Sequence, residues 1–129
     1  MIAGIGVDIV EVSRIKEAVK RWKSAFLKRI FTENEVNYSQ NKKFVYQHLA
    51  ARFAAKEAVL KAIGDSSIQH IEWHNIEVLN DECGKPYIRL SGEALKIKER
   101  KNITDIIISM SHTRNFAVAN AILIKNNSG

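Results

Sequence analysis

The run from Phe44 to Ile63 contains neither proline nor glycine, is dense in Ala, Leu, Phe and Val, and stops at Gly64. That composition predicts one long helix with a glycine terminator. Its segment Arg52-Phe53-Ala54-Ala55-Lys56-Glu57-Ala58-Val59-Leu60-Lys61-Ala62 is apolar nearly all round apart from its charges. A helix of this kind is enclosed by its chain rather than laid on the surface, so it should sit centrally.

The elements around it are short. Ile2 to Val12 reads as a strand, because its Ile and Val residues are β-branched and Gly4 and Gly6 disfavour helix. Ser13 offers an N-cap for a helix whose apolar face is Ile15, Ala18, Val19 and Trp22. Thr32 with Glu35 has the form of a capping box, starting a short helix that runs to about Ser39 before a polar break at Gln40–Lys43. Ile71 to Leu79 reads as a strand region, and Asn80–Lys85 as a turn. Pro86 to Leu90 reads as a return strand, and Ser91 as the cap of a helix with Ala94, Leu95 and Ile97 inward. Ile103–Ser111 and Phe116–Ile124 flank His112-Thr113-Arg114-Asn115 as a hairpin. The order implies an α+β fold, a mostly antiparallel sheet with one long central helix. Phe116 to Ile124 does not alternate, so both faces of that strand should be covered, in part by another copy of the chain.

With 129 residues, 46% hydrophobic and 26% charged, the chain suits one soluble domain over residues 1–125, with a frayed tail at 126–129. No apolar stretch nears the roughly 20 residues of a membrane span, and no leader opens the chain. The lone Cys83 can form no internal disulfide, which fits a reducing cytoplasm. The net charge of +6 asks for an anionic partner.

Charge in the wrong place marks the chemistry. Asp8 interrupts an apolar strand, where a carboxylate is costly unless it bonds a backbone amide, caps a helix or holds a metal. Glu57 raises the same question on the long helix. Two such carboxylates suit one Mg²⁺, which takes oxygen ligands and keeps room for water and phosphate. Glu57 and Lys61 lie about 40° apart on the helix, so they share a face, either as an ordinary ion pair or around a phosphate. Arg52 and Lys56 are also four apart, on another side of the helix. His112 sits in Ser111-His112-Thr113, a turn that offers imidazole, hydroxyl and amides to a phosphate or simply faces solvent. His48, His70 and His74 have no metal-ligand spacing and read as structural or surface. Arg14 and Arg21 stack seven apart on one helical face, with Lys28 and Arg29 following, either solvated or docking an acidic helix. No dinucleotide, Walker A, CxxC or GxSxG motif occurs.

The opening Gly4-Ile5-Gly6-Val7-Asp8-Ile9-Val10-Glu11-Val12, the central Arg52-Phe53-Ala54-Ala55-Lys56-Glu57-Ala58 with Lys61, and the late Ser111-His112-Thr113 closely resemble the holo-[acyl-carrier-protein] synthase family. The resemblance implies the 4′-phosphopantetheinyl transferase fold. It implies transfer of 4′-phosphopantetheine from coenzyme A to a serine of apo acyl carrier protein, in support of fatty acid biosynthesis. It further implies Mg²⁺ held by Asp8 and Glu57, a homotrimer with active sites between protomers, and Lys61 on the diphosphate. Arg52, His112 and Thr113 match positions that hold coenzyme A, and Lys43 lies near that of the 3′-phosphate. Glu57, Lys61 and His112 are then the catalytic set, with Glu57, directly or through a metal-bound water, the first choice of base and His112 the second. Arg14 and Arg21 would dock the acidic carrier protein. The chain departs from the family at Gly64-Asp65-Ser66-Ser67-Ile68, where a glycine-rich turn is usual. Rival readings are an RNA- or ribosome-binding domain and a Mg²⁺-dependent nucleotide phosphohydrolase. The first leaves Asp8 and Glu57 unexplained and lacks aromatics interleaved with its basic residues; neither nucleic acid nor a membrane is the expected partner.

Overall fold

The computed structural model describes residues 1–126. In chain order they form β1 (Ile2–Glu11), α1 (Val12–Trp22), α2 (Ser24–Ile30), α3 (Glu33–Gln40) and α4 (Val45–Ile63). Two 3₁₀ turns, Ser66–His70 and Trp73–Asn75, lead to β2 (Ile76–Asn80), β3 (Pro86–Leu90), α5 (Gly92–Arg100), β4 (Ile103–His112) and β5 (Phe116–Lys125). The strands make two antiparallel sheets, β1-β5-β4 and β2-β3. The α+β class holds, with α4 at the centre as its composition demanded. No helix among the described residues is long and apolar enough to cross a membrane.

Small residues decide how α4 meets the larger sheet. Ala51, Ala54, Ala55, Ala58 and Ala62 are buried along one stripe of the helix, and Ala117, Ala119 and Ala121 are buried on β5. On β1 the inward positions Gly4 and Gly6 remove even the Cβ. A Cβ on Gly4 would lie 2.0 Å from the Ala62 carbonyl oxygen, and one on Gly6 equally close to that of Ala58. Helix and strand therefore touch backbone to backbone, and the glycines that disfavour helix in β1 serve this approach. Gly64 ends α4 in the left-handed conformation, with φ of 76°, and its N–H donates to the Leu60 carbonyl.

The other side of α4 is closed by charge. Lys56, fully buried, donates to Glu35 Oε1 of α3 (2.7 Å), to the Trp73 carbonyl (3.2 Å) and to the Ile76 carbonyl (2.5 Å). Glu35 also accepts from the Thr32 N–H at Oε1 (2.8 Å) and from the Val78 N–H at Oε2 (2.9 Å). The capping box at Thr32 is present, and its glutamate does a second job in the core. Next to it, Glu77 accepts from the Thr32 hydroxyl and from both Nε and Nη2 of Arg89.

Several local expectations are corrected. α1 begins at Val12, with Glu11 in the capping position, so Ser13 is not the N-cap. The chain turns at Lys23, with φ of +50°, which places Lys28 and Arg29 on the separate α2 rather than along the Arg14–Arg21 face. Ile71 and Trp73 are not strand; they belong to the 3₁₀ region, where Trp73 stacks on Phe53 with ring centroids 5.0 Å apart. Ser91 precedes α5 but makes no side-chain cap, and Leu95 faces outward while Ala94 and Ile97 are buried. β5 alternates in burial after all: its alanines meet α4, while Phe116 and Val118 stay exposed. Of the expected tail, the Asn126 N–H bonds the Asn102 carbonyl, and residues 127–129 lie outside the described residues.

Candidate active site

Alternation along β1 aims Asp8 at the α4 side of the sheet, between the exposed Val7 and Ile9. The Lys61 ammonium, from the last turn of α4, donates to Asp8 Oδ1 (2.9 Å) and to the Val7 carbonyl (3.2 Å). Lys61 thus pairs with Asp8 rather than with Glu57, and the local ion pair that their spacing allows does not form. Its bond to Asp8 raises its pKa. Glu57 stands at the same edge. Burial first, and the charge of Asp8 second, push its carboxyl above the ordinary carboxylate value, with Lys61 opposing.

Asp8 and Glu57 line one cleft of about 460 Å³ together with Arg14, Phe26, Phe53 and Phe116. Among the described residues no cluster of three or more His, Cys, Asp or Glu is arranged for a metal. Two mutually repelling carboxylates with open solvent beside them fit a hard divalent cation that draws its other ligands from water and phosphate. Arg14 also borders a shallow groove with Arg21 and Trp22, where the Arg21 guanidinium lies 5.0 Å from the Trp22 ring.

The expected site residues fall into two groups. His112 ends β4, and in the register His112–Ala117–Val10 it lies on the opposite edge of the sheet from β1. Two strand spacings and two residues of offset separate it from Asp8 by roughly 12 Å. His112 and Thr113 line a different cavity, about 620 Å³, with Phe44, Gln47 and Arg114, and the two openings share no residue. Lys43 does not line it, but its ammonium lies 5.6 Å from the ring of Phe44, which does. The turn is held by the Thr113 N–H to the Phe116 carbonyl (2.8 Å) and by Gln47 Nε2 to the Arg114 carbonyl (3.2 Å).

Arg52 belongs to neither opening. It is 1% exposed, donates from Nη2 to Asn80 Oδ1 (2.5 Å) and lies 4.2 Å from the Tyr38 ring centroid. Burial lowers its pKa. Sequence reasoning passed over His48, whose ring meets His112 edge to face at 5.2 Å and Tyr38 at 5.9 Å. No spacing signal could reveal it, because the contact joins residues on α4 and β4.

The profile of the 4′-phosphopantetheinyl transferase superfamily matches residues 4–121, and the chain belongs to that superfamily. Within it, the holo-[acyl-carrier-protein] synthase of Halothermothrix orenii is 48% identical over 119 residues, spanning 92% of this chain and 94% of that protein. The crystal structure of the Neisseria meningitidis holo-[acyl-carrier-protein] synthase superposes with a TM-score of 0.86 at 34% identity, covering 97% of this chain and all of that one. The Bacillus anthracis synthase, solved in complex with CoA (3′,5′-ADP), gives 0.79 at 37% identity, covering 98% and 99%.

Proposed function

We propose that this chain transfers 4′-phosphopantetheine from coenzyme A to a serine of apo acyl carrier protein, in support of fatty acid biosynthesis in the cytoplasm. It works as a Mg²⁺-dependent homotrimer with active sites between protomers. The observation that carries this reading is the meeting of Asp8, Glu57 and Arg14 in one cleft, in a chain of this superfamily.

The serine oxygen attacks the pantetheine-side phosphorus of the diphosphate, the bond to the bridging oxygen breaks, and adenosine 3′,5′-bisphosphate leaves. Asp8 and Glu57 would hold Mg²⁺, which would supply positive charge to the diphosphate oxygens. Lys61, already at the rim and 53% exposed, offers its ammonium to the same oxygens. Glu57 takes the serine proton, directly or through a water it orients. Its place on the cleft wall makes Glu57 the first choice of base, and His112 is the second. Thr113, Lys43 and His112 hold the nucleotide end. Arg52 acts from inside, through charge beside Tyr38 and His48 rather than by contact.

The split between the two openings supports sites shared between copies. So does the outer sheet face, where Ile5, Val7, Ile9, Ile107, Phe116 and Val118 are all exposed. A contiguous apolar face of that kind is covered in a stable assembly. Packed copies would set the His112 cavity of one protomer against the carboxylate cleft of the next. Arg14 and Arg21, beside that cleft, face the acidic carrier protein.

The test is direct: incubate the protein with coenzyme A, Mg²⁺ and apo acyl carrier protein and weigh the carrier. A phosphopantetheine adduct is expected; an unchanged carrier mass overturns the reading.

A further inference from the structure

His48 occupies a place that the reaction so far leaves idle. It projects from the first half of α4 into a nest of cations. Tyr38 of α3 meets its ring, Lys42 in the connection lies 4.6 Å from the Tyr38 centroid, and Arg52 stacks on that same ring from the other side of the sequence. On β4, His112 meets it edge to face. The titratable groups that act on His48 are His112, Arg52 and Lys42, with no carboxylate among them. The buried carboxylate of α3, Glu35, is committed to Lys56. Burial first, and then these neighbours, lower the His48 pKa, which favours the neutral imidazole in the free protein.

His112, in contrast, borders the 620 Å³ cavity directly. An anion entering that cavity leaves the burial of His48 in place but offsets the positive charge of Arg52 and Lys42 around it, which makes a proton on His48 more favourable to bind. We propose that His48 is a positioning residue for His112, and that His48 takes up a proton from solvent when a phosphate-bearing nucleotide enters the cavity that His112 lines. This rests on the assignment of coenzyme A as substrate. The consequence is that nucleotide affinity rises as pH falls from 8 toward 6, although none of the phosphate contacts changes.

Calorimetric titration of the Mg²⁺-loaded protein with coenzyme A, at pH 7 in buffers of different ionisation enthalpy, reads the protons taken up. The parent should show net uptake. His48→Phe keeps an aromatic ring against Tyr38 and His112 but cannot titrate, so uptake should fall at least about twofold while affinity at pH 8 stays within about threefold. His48→Ala removes the ring as well and should weaken binding at pH 8 beyond His48→Phe. Should His48→Phe not fold, His48→Gln removes the titrating group in its place. Equal uptake in parent and His48→Phe, or none in the parent, overturns the proton claim. Equal affinity of the Phe and Ala variants at pH 8 overturns the positioning claim. Failure of the parent to bind coenzyme A at all overturns the functional reading itself, and this inference with it.

Discussion

Lys56 and Glu57 occupy consecutive positions of α4, yet one helix turns them into opposite kinds of charge. Lys56 is sealed, and its ammonium spends every proton on a carboxylate and two carbonyls. Glu57 stands at a cleft beside a second carboxylate that repels it. The difference teaches how to tell a structural charge from a working one. A buried ion whose partners are complete holds elements together, while one that lines an open cleft beside a second charge of the same sign is held ready for something from outside.

The largest expected effect tests the sealed side. Lys56→Met strands Glu35 without its cation and should lower the unfolding free energy by about 3–5 kcal/mol, read by urea denaturation. A loss below about 1 kcal/mol would erase the contrast. Next comes the open side. Glu57→Gln and Asp8→Asn should each cut turnover by about 100-fold or more, since even residues that merely support metal ligands cost 10–100-fold. Their unfolding free energies should stay within about 0.5 kcal/mol of the parent. Matching losses of stability would mean that the cleft carboxylates are structural too.

Charge reversal at Arg14 and Arg21 should raise KM for the carrier protein about tenfold, leave KM for coenzyme A nearly unchanged, and lose its effect in high salt. Equal rises for both substrates would detach that face from docking. The smallest effect sharpens the sealed side through pH. Burial alone would raise the Glu77 pKa, but bonds from Thr32, Arg89 and Asn34 outweigh it and hold it below its ordinary value of 4.5. Its stabilisation is therefore present above that value and is lost as pH falls through the native one. Glu77→Gln should cost about 1 kcal/mol at pH 7, and the gap to the parent should narrow as pH falls below the ordinary glutamate value. A gap that persists in acid would show the contribution to be packing rather than charge.

Much of the frame was legible because its signals are local. The glycine stop at Gly64, the Thr32–Glu35 box and the Pro86–Leu90 strand each depend on a few adjacent residues. The break at Lys23 was not, because a lysine at positive φ carries no mark of its own in sequence. Ile71 and Trp73 have strand composition, but Trp73, stacked on Phe53 of α4, lies in a 3₁₀ turn and Ile71 in the connection before it. In the site, Asp8, Glu57 and Lys61 were legible through the cost of charge in apolar segments. Glu35 was hidden because a capping role already explained it, and His48 because its partner arrives from another element. The separation of His112 from the carboxylates is topological, set by β5 lying between β1 and β4.

The bare backbone of Gly4 and Gly6 has a metrological consequence. Asp8 rides on β1 and Glu57 on α4, so the gauge between the carboxylates is the thickness of the strand–helix seam. With carbonyl oxygens standing 2.0 Å from where each Cβ would be, that seam is closed to its minimum. One methyl group at Gly6 would act as a shim, prising the two carboxylates apart. Mg²⁺ demands oxygens at about 2.0–2.1 Å, and Ca²⁺ accepts about 2.3–2.6 Å. If the proposed site takes a hard cation, atoms the sequence leaves out would set the spacing of its two carboxylates.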